Sequence, residues 1–570
     1  MYDLVIRNGT VVDGTGAAPR ICDVAIQGDR IVEVGPNLLQ GEREIDAQGR
    51  LVTPGWVDIH THYDGQVTWD PHLSPSGGTN GVTSVVMGNC GVGFAPARPE
   101  RHDWLVQLME GVEDIPGTAL AEGIDWKWES FPEYLDALDA MPRSLDVGTQ
   151  VPHGAVRAYV MDERGAKNEK ATPEDIKAMG EIVAEALRAG ALGFSTSRTL
   201  LHRAKDGEPV PGTFASEDEL IGIGEVMGEV GSGVFECASD LANEEAEIAW
   251  MHELSKRTGR PVTFACLQND LDRNQYKRLL EACERSLADG GRVTAQVAAR
   301  PAGMLMGLES SLHPFITHKA YRPLAELPLE ERVAAMRTPE VREAILSAQP
   351  STENPMVALI AMAFHKLFPL GDPPDYEPGP EKSIYAIAQR EGRKPQEVAY
   401  DFLLQKDGKE LLYFPILGYA EGNFDALREM MLHPQSVFGL SDGGAHCGLI
   451  CDASIPTYLL THWGRDRDRG ERIPIETLVA SQTRDTATLY GLNDRGILAP
   501  GMKADLNVID LEALQIRLPE MAYDLPTGAR RLMQKVEGYD YTICSGQITF
   551  ESGEPTGALP GRLIRGPQSI

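Results

Sequence analysis

The sequence predicts an α/β protein, because short apolar strands alternate with helical segments through the middle of the chain. Residues 57–59, 82–87 and 437–440 are apolar runs of the kind that form buried strands. Residues 172–190 follow helical periodicity between a Thr-Pro start and a glycine stop. With 570 residues, the chain is long enough for a full catalytic domain and a second domain, and its core needs no disulfide support.

The composition argues against several classes of partner. The net charge of −31 disfavours nucleic acid and anionic membranes, whose phosphates would be repelled. The first residues carry no basic segment followed by an apolar run, and no uninterrupted apolar stretch approaches the ~20 residues that span a bilayer. The eight cysteines are scattered without a Cys-x-x-Cys pair, which favours free thiols in a reducing compartment. We therefore expect a cytoplasmic protein with neither nucleic acid nor membrane as a partner.

The two ends of the chain share a pattern of short strands and turns. Residues 1–50 contain two predicted hairpins, with turns at residues 7–9 and 27–29. Residues 504–510 and 541–549 have the same character. A sheet as small as the N-terminal one is not stable alone, so we expect the C-terminal strands to complete it.

Candidate metal ligands follow the predicted buried strands. In an extended chain, the spacing of His60 and His62 puts both imidazoles on one side, where one cation can lie between their nitrogens. Imidazole is a preferred ligand of zinc and its neighbours. Cys90 follows the next strand and is either a small buried hydrophobe or a further ligand. Asp442 follows the late strand, in a Ser-Asp-Gly sequence that is either a simple turn or a functional strand end.

These segments resemble those of one protein family. Residues 54–62 are similar to the Pro-Gly-x-x-Asp-x-His-x-His pattern that ends the first strand in the amidohydrolase superfamily, and residues 441–443 resemble its Ser-Asp-Gly at the last strand. Residues 88–91, Gly-Asn-Cys-Gly, resemble the D-aminoacylase branch, also called N-acyl-D-amino-acid deacylases. The resemblance implies a (β/α)8 TIM barrel with a composite β-sandwich built from both chain ends.

The resemblance also implies a chemistry. It assigns a zinc ion to His60, His62 and Asp442, with Cys90 as a further ligand, and it gives Asp442 the proton transfer. The implied reaction is hydrolysis of an amide C–N bond in a small molecule, foremost an N-acyl-D-amino acid. Two alternatives stay open: a hydrolase of cyclic amides, imides or dipeptides in the same superfamily, and a metal-free barrel that acts as a binding or scaffold protein.

Two neighbouring strands depart from the family pattern. In the deacylases each of them ends in a metal-binding histidine, but residues 233–240 and 261–268 contain no histidine. Glu236 and Cys266 are candidate replacements, since carboxylate and thiolate both bind zinc. We therefore expect one zinc ion, with two as the alternative.

Further candidates concern substrate binding. Arg198, with His202, is a candidate for holding a substrate carboxylate, because a guanidinium matches the geometry of that group; the alternative is a surface arginine. His446 is either a further ligand or a substrate contact. His153 either faces the substrate or bonds the backbone.

We expect three regions along the chain. Residues 1–56 form the N-terminal part of the sandwich, residues 57–475 the hydrolase barrel, and residues 476–570 the last helix, the rest of the sandwich and an extended tail. A long insertion around residues 270–410 is expected over the barrel mouth, as a lid or as a contact between copies in a homo-oligomer.

Overall fold

The computed structural model describes residues 1–348, 357 and 363–569. The strands are β1 (Tyr2–Val11), β2 (Arg20–Gln27), β3 (Arg30–Gly35), β4 (Gly41–Asp46), β5 (Leu51–Pro54), β6 (Trp56–Asp58), β7 (Val82–Met87), β8 (Asp146–Thr149), β9 (Val151–Pro152), β10 (Gly193–Arg198), β11 (Val234–Ser239), β12 (Val262–Ala265), β13 (Val293–Val297), β14 (Ala302–Met306), β15 (Phe368–Pro369), β16 (Leu412–Leu417), β17 (Ser436–Phe438), β18 (Leu506–Ile509), β19 (Gln515–Leu525), β20 (Ala529–Glu537), β21 (Tyr539–Cys544), β22 (Gln547–Glu551) and β23 (Glu554–Pro555).

The α-helices are α1 (Ser76–Thr79), α2 (His102–Glu113), α3 (Gly117–Gly123), α4 (Phe131–Asp139), α5 (His153–Met161), α6 (Glu163–Ala166), α7 (Pro173–Ala189), α8 (Glu217–Val230), α9 (Glu244–Thr258), α10 (Gln275–Ala288), α11 (Leu329–Met336), α12 (Pro339–Ser347), α13 (Ile384–Glu391), α14 (Pro395–Leu403), α15 (Asp425–Met431), α16 (Ile455–Tyr458), α17 (Ile475–Ala480) and α18 (Thr486–Leu489). Two π-helical turns, Leu459–Asp466 and Ser481–Asp485, continue α16 and α17. The predicted helix at residues 172–190 is confirmed as α7, which Thr172 and Asp175 cap reciprocally.

Two parallel sheets form the centre of the molecule. Strands β6, β7 and β8 form one sheet, and β9, β10, β11, β12, β13 and β17 form the other. The sheets meet at Gln150, between β8 and β9, whose backbone N–H donates to the Met87 carbonyl at 2.9 Å. They meet again where the His62 N–H donates to the Gly443 carbonyl at 2.8 Å. The predicted α/β class is confirmed, whereas closure of these strands into a complete (β/α)8 barrel stays a prediction.

Strand β11 shows which side of the second sheet is interior. Phe235 packs against Trp250 of α9, with ring centroids 5.7 Å apart, so the neighbouring Glu236 points to the opposite side. Val234, on the same side as Glu236, joins a buried apolar cluster with Val57 and Val437. Strand β11 therefore places the polar side chain of Glu236 in the interior, next to a cluster of buried apolar residues that includes Val234.

The nine-stranded sheet takes its strands from both chain ends, as predicted. Its order is β23-β22-β21-β18-β5-β1-β2-β3, with β4 paired to β1. The predicted turn at residues 27–29 is confirmed by the pairing of Gln27 with Arg30. The predicted turn at residues 7–9 is wrong: these residues form an irregularity within β1, where Asn8 has a φ of 54°. Gly9 fits there because a Cβ atom would lie 2.4 Å from Cγ2 of Val52.

Two parts of the chain outside the parallel sheets lie against the loop that follows β17. They are the segment between β13 and α15 and the hairpin of β19 and β20. The segment between β13 and α15 carries the antiparallel sheet β14-β16-β15 and a separate apolar core. The Leu305 N–H of β14 donates to the Leu449 carbonyl at 2.7 Å, and the Leu532 N–H of β20 donates to the Cys447 carbonyl at 2.6 Å. The loop after β17 is thus held from two directions.

The cysteines and the described helices can be compared with two expectations from the sequence. All eight cysteines are buried free thiols, as predicted. Within the described part of the chain, no helix has the length and apolarity that crossing a bilayer needs.

A buried ion network joins the parallel sheet to the sheet of both chain ends. Asp146 of β8 accepts hydrogen bonds from Lys503 Nζ at 2.5 Å and from Arg495 Nη1 at 2.7 Å. Burial opposes the charged carboxylate, yet the Lys503 and Arg495 charges lower the pKa of Asp146 to about 2. This carboxylate is therefore shared by two buried cations, and Asp494 and Asp505 supply their other negative charges.

We predict that Asp146→Ala destabilises the protein by about 3–5 kcal/mol, because it leaves buried cations without their shared partner. Since the pKa of Asp146 is lowered on folding, its contribution is complete above about pH 4 and is lost as the pH falls toward 2. Urea unfolding of both proteins between pH 7 and pH 3 measures this difference. Lys177→Ala, which removes an exposed pair with Glu181, is the control and should change little. An equally small effect of Asp146→Ala would contradict the role of the network.

Candidate metal centre

His60 and His62 lie just beyond β6, where the chain stays extended between two neighbours. The Thr61 N–H donates to the Val86 carbonyl at 3.1 Å, and the His62 N–H donates to the Gly443 carbonyl. Both imidazoles are 1% exposed. Ligand atoms of His60, His62 and Cys90 all lie within 4.8 Å of one another. The extended spacing thus brings the two predicted histidines to one point.

Cys90 lies in a tight loop after β7 that two neighbouring strands hold in place. Its backbone is left-handed, with a φ of 55°, a conformation that costs about 1–3 kcal/mol in a residue other than glycine. The Cys90 N–H donates to Glu236 Oε2 at 2.9 Å, and the Gly91 N–H donates to Ser195 Oγ at 3.0 Å. These contacts keep the Cys90 thiol toward the histidines, with Sγ 3.4 Å from Nε2 of His60.

Asp442 reaches the same point from the loop after β17. Its Oδ1 lies 3.5 Å from Nε2 of His60 and 3.7 Å from Nε2 of His62. Its backbone is also left-handed, with a φ of 48°, and its N–H donates to the His60 carbonyl at 3.1 Å. The Asp442 side chain is 25% exposed, whereas the histidine side chains are 1% exposed. Of these groups, Asp442 therefore faces the mouth of the site.

The Nδ1 atom of each histidine ring faces an oxygen of a buried side chain. His60 Nδ1 lies 3.0 Å from Gln296 Oε1, on β13. His62 Nδ1 lies 3.3 Å from Glu113 Oε1, at the end of α2, and neither of these two atoms has a hydrogen-bond partner among the described residues. Both oxygens can accept a proton from Nδ1, which leaves the Nε2 atoms on the side of Asp442.

Several buried carboxyl groups crowd this point. Burial raises the pKa of Asp58 and of Asp64 to about 7 each, and that of Glu236 to about 8. Glu113 and Asp442 add two more carboxyl groups. Within the described residues, the ion pairs of these five groups are with histidines and none is with lysine or arginine.

The neighbouring charged groups also shift the pKa values of His62 and Asp442. Burial opposes the charged form of His62, but the Glu113 and Asp442 carboxylates raise its pKa to about 9. Burial also opposes ionisation of Asp442, yet its hydrogen bond with His62 and the nearby histidine charges hold its pKa well below the usual range. A divalent cation fits this site, because it supplies positive charge that the buried carboxyl groups lack. Two imidazoles, a thiolate and a carboxylate are a donor set typical of zinc.

Other residues predicted for the site lie apart from the cluster. The Cys266 thiol lies near the buried, neutral Cys283 thiol of α10, so it is on the helix side of the sheet, just beyond β12. Arg198 donates to both carboxylate oxygens of Glu247 and to the Ala215 carbonyl. The structure therefore does not bring the Cys266 thiol to the histidines, and it engages the Arg198 guanidinium elsewhere.

The three remaining histidines differ in position. His153 is fully buried between Thr196 Oγ1 at 2.8 Å and Glu219 Oε1 at 3.0 Å, in a packing role. His446 has a 22% exposed side chain, with Nε2 3.7 Å from Glu113 Oε2. For His202, burial and the nearby His446 and His62 charges lower the pKa to about 4. His202 and His446 thus lie near the cluster, and the His446 side chain is partly exposed.

The sequence analysis missed three groups that shape this site. Gln296 is a polar residue in an apolar strand, which is a signal for an inward role. Ser195 lies in the polar end of β10, but nothing in the sequence pairs it with residues 88–91. Glu113 ends an amphipathic helix far from every recognised motif, and its sequence carries no signal.

Residues 43–550 match the amidohydrolase family. The chain belongs to this family. The N-acyl-D-glutamate deacylase of Alcaligenes xylosoxydans xylosoxydans is 26% identical over an alignment of 584 residues that covers 100% of this chain and 97% of that enzyme. The predicted resemblance to the D-aminoacylase branch is confirmed.

Two solved structures share the fold of this amidohydrolase. A structure of D-aminoacylase, an enzyme described with a binuclear metal centre, has a TM-score of 0.65 at 24% identity and covers 99% of this chain and 100% of its own. The N-acyl-D-glutamate deacylase from Bordetella bronchiseptica, solved with zinc and a phosphonate inhibitor, has a TM-score of 0.64 at 22% identity with the same coverage.

We predict that the amidohydrolase purified without chelator carries near-stoichiometric zinc and that a His60→Ala, His62→Ala double variant carries almost none. Removing both imidazoles deletes two of four converging donors. Elemental mass spectrometry measures the metal content. His252→Ala, which removes a histidine that pairs with Asp289 on the outer helix layer, is the matched control. Unchanged zinc in the double variant would exclude this site as the one that binds it.

Proposed function

We propose that this amidohydrolase cleaves the amide C–N bond of N-acyl-D-amino acids, with one zinc ion held by His60, His62, Cys90 and Asp442. The observation that carries the proposal is the convergence of these four side chains after strands β6, β7 and β17. The similarity to deacylases along the whole chain supports the substrate class.

The metal would supply the electrophile of the reaction. When bound, zinc makes water acidic enough to ionise near neutral pH and polarises a carbonyl oxygen. The protein's own contribution is to hold the donors in fixed directions: Gln296 contacts the His60 imidazole, and Glu236 and Ser195 hold the Cys90 loop. Such fixed groups need no rearrangement during the reaction.

Asp442 would transfer the proton. It is the exposed member of the cluster, and its carboxylate can accept a proton from the attacking water. The leaving amine must be protonated before it departs, and the same carboxyl group can deliver that proton. The bond from the Asp442 N–H to the His60 carbonyl holds this residue next to both histidines.

The substrate carboxylate would be bound by histidines rather than by arginine. The Arg198 guanidinium already donates to Glu247 and Ala215. His446 and His202 are the remaining candidates near the cluster: the His446 side chain is 22% exposed, and His202 Nδ1 lies 3.0 Å from Ser197 Oγ, at the end of β10. Release of free amino acid from paired N-acetyl-D- and N-acetyl-L-amino acids tests the reaction and its stereochemistry. Turnover of cyclic imides alone would favour the other branch of the superfamily.

We predict that Asp442→Asn lowers kcat by about 10²–10⁴-fold, because the amide keeps the size of the side chain but cannot accept the proton. Zinc content should be measured on the same sample, which separates loss of the base from loss of the metal. Asp289→Asn, on the outer helix layer, is the control and should keep full activity. Near-normal turnover of Asp442→Asn would refute the proposed proton transfer.

A further inference from the structure

Glu113 is a buried carboxylate shared by two histidines of the site. Its side chain is 2% exposed. One oxygen, Oε1, lies 3.3 Å from Nδ1 of His62, and the other, Oε2, lies 3.7 Å from Nε2 of His446. Each oxygen thus faces a different ring.

The position of Glu113 is fixed by the end of α2. Leu105, Leu108, Met109 and Val112 bury one side of this helix, and Asp114 ends it in a left-handed conformation. The backbone carbonyl of Glu113 accepts from the His446 N–H, and Asp114 Oδ2 accepts from the Gly448 N–H at 3.1 Å. The helix end is therefore docked on the loop that follows Asp442.

The position and the burial of the Glu113 carboxylate are both energetically unfavourable. A carboxylate at the C-terminal end of a helix opposes the helix dipole. A carboxylate that is buried without a lysine or arginine partner also loses its hydration. Residues that break local rules are expected at functional sites. Because its two oxygens face His62 and His446, we expect the Glu113 carboxylate to act on these histidines.

We propose that Glu113 is a positioning residue for the metal ligand His62. Its Oε1 lies 3.3 Å from Nδ1 of His62, and neither atom has a hydrogen-bond partner among the described residues. When Nε2 binds the cation, Oε1 would accept the Nδ1 proton, which would fix the ring orientation and the tautomer. Its second oxygen faces His446, which keeps the carboxylate from rotating away. A carboxylate behind an imidazole also makes that imidazole a stronger donor. His60, backed by the neutral amide of Gln296, lacks this assistance. The inference rests on the proposed metal site and not on the proposed substrate.

The test compares zinc affinity of the wild type and of Glu113→Gln by competition with a chromophoric chelator. We expect about 10–100-fold weaker binding in Glu113→Gln, which keeps an acceptor oxygen but loses the charge. The cobalt(II) form should also change its absorption spectrum. Glu110→Gln is the control: it lies on the same helix and pairs with Lys205, so its zinc affinity should equal that of the wild type.

The outcomes separate this inference from the proposed function. A wild type that takes up no metal refutes both. A wild type that binds zinc, with Glu113→Gln binding it equally well, overturns the inference alone. A lower melting temperature of metal-free Glu113→Gln with unchanged zinc affinity would assign Glu113 a structural role and also overturn it. If Glu113→Gln does not fold, Glu113→Asp replaces it: drawing the charge back should weaken zinc binding several-fold, and unchanged affinity refutes the inference.

Discussion

The site depends on the contact between the ends of the first and last parallel strands. The Asp442 N–H donates to the His60 carbonyl, and the His62 N–H donates to the Gly443 carbonyl. These two backbone bonds join chain segments separated by about 380 residues. They also bring three donor side chains to one place, because His60, His62 and Asp442 are themselves bonded residues in this contact. Pairing of these two strand ends therefore assembles most of the site.

Two unfavourable features are maintained around this contact. Cys90 and Asp442 both have left-handed backbones, and a set of carboxyl groups is buried with too little positive charge. Neither persists without compensation. Hydrogen bonds from neighbouring strands hold the backbone, and a cation would neutralise the carboxylates. Binding of a cation would lower the pKa of these carboxyl groups and draw on the same donors, so both features support the proposed metal centre.

The sequence predicts the parts of the site that obey local rules. The strand that precedes His60 and His62, the loop at Cys90 and the strand before Asp442 are readable because apolar runs and glycines mark them. The sequence does not predict a role for Glu113 in the site, because that role arises from the docking of α2 onto a loop more than 300 residues away. The same limit explains Arg198: its sequence suits a substrate carboxylate, and only the fold shows that Glu247 already accepts its hydrogen bonds.

Strands β11 and β12 carry no histidine at their ends. The candidate donor side chains therefore lie on one side of the interior, next to β6, β7 and β17. Ala238, two residues beyond Glu236 on β11, offers no ligand atom, and Cys266 lies on the helix side of β12. Glu236 uses one carboxylate oxygen to hold the Cys90 N–H, and its other oxygen has no hydrogen-bond partner among the described residues. These features are the reason for proposing one zinc ion rather than two at a site that keeps what hydrolysis requires. The electrophile, the proton acceptor and the open face all belong to the side built by β6, β7 and β17, so the loss of ligands from β11 and β12 is compatible with catalysis.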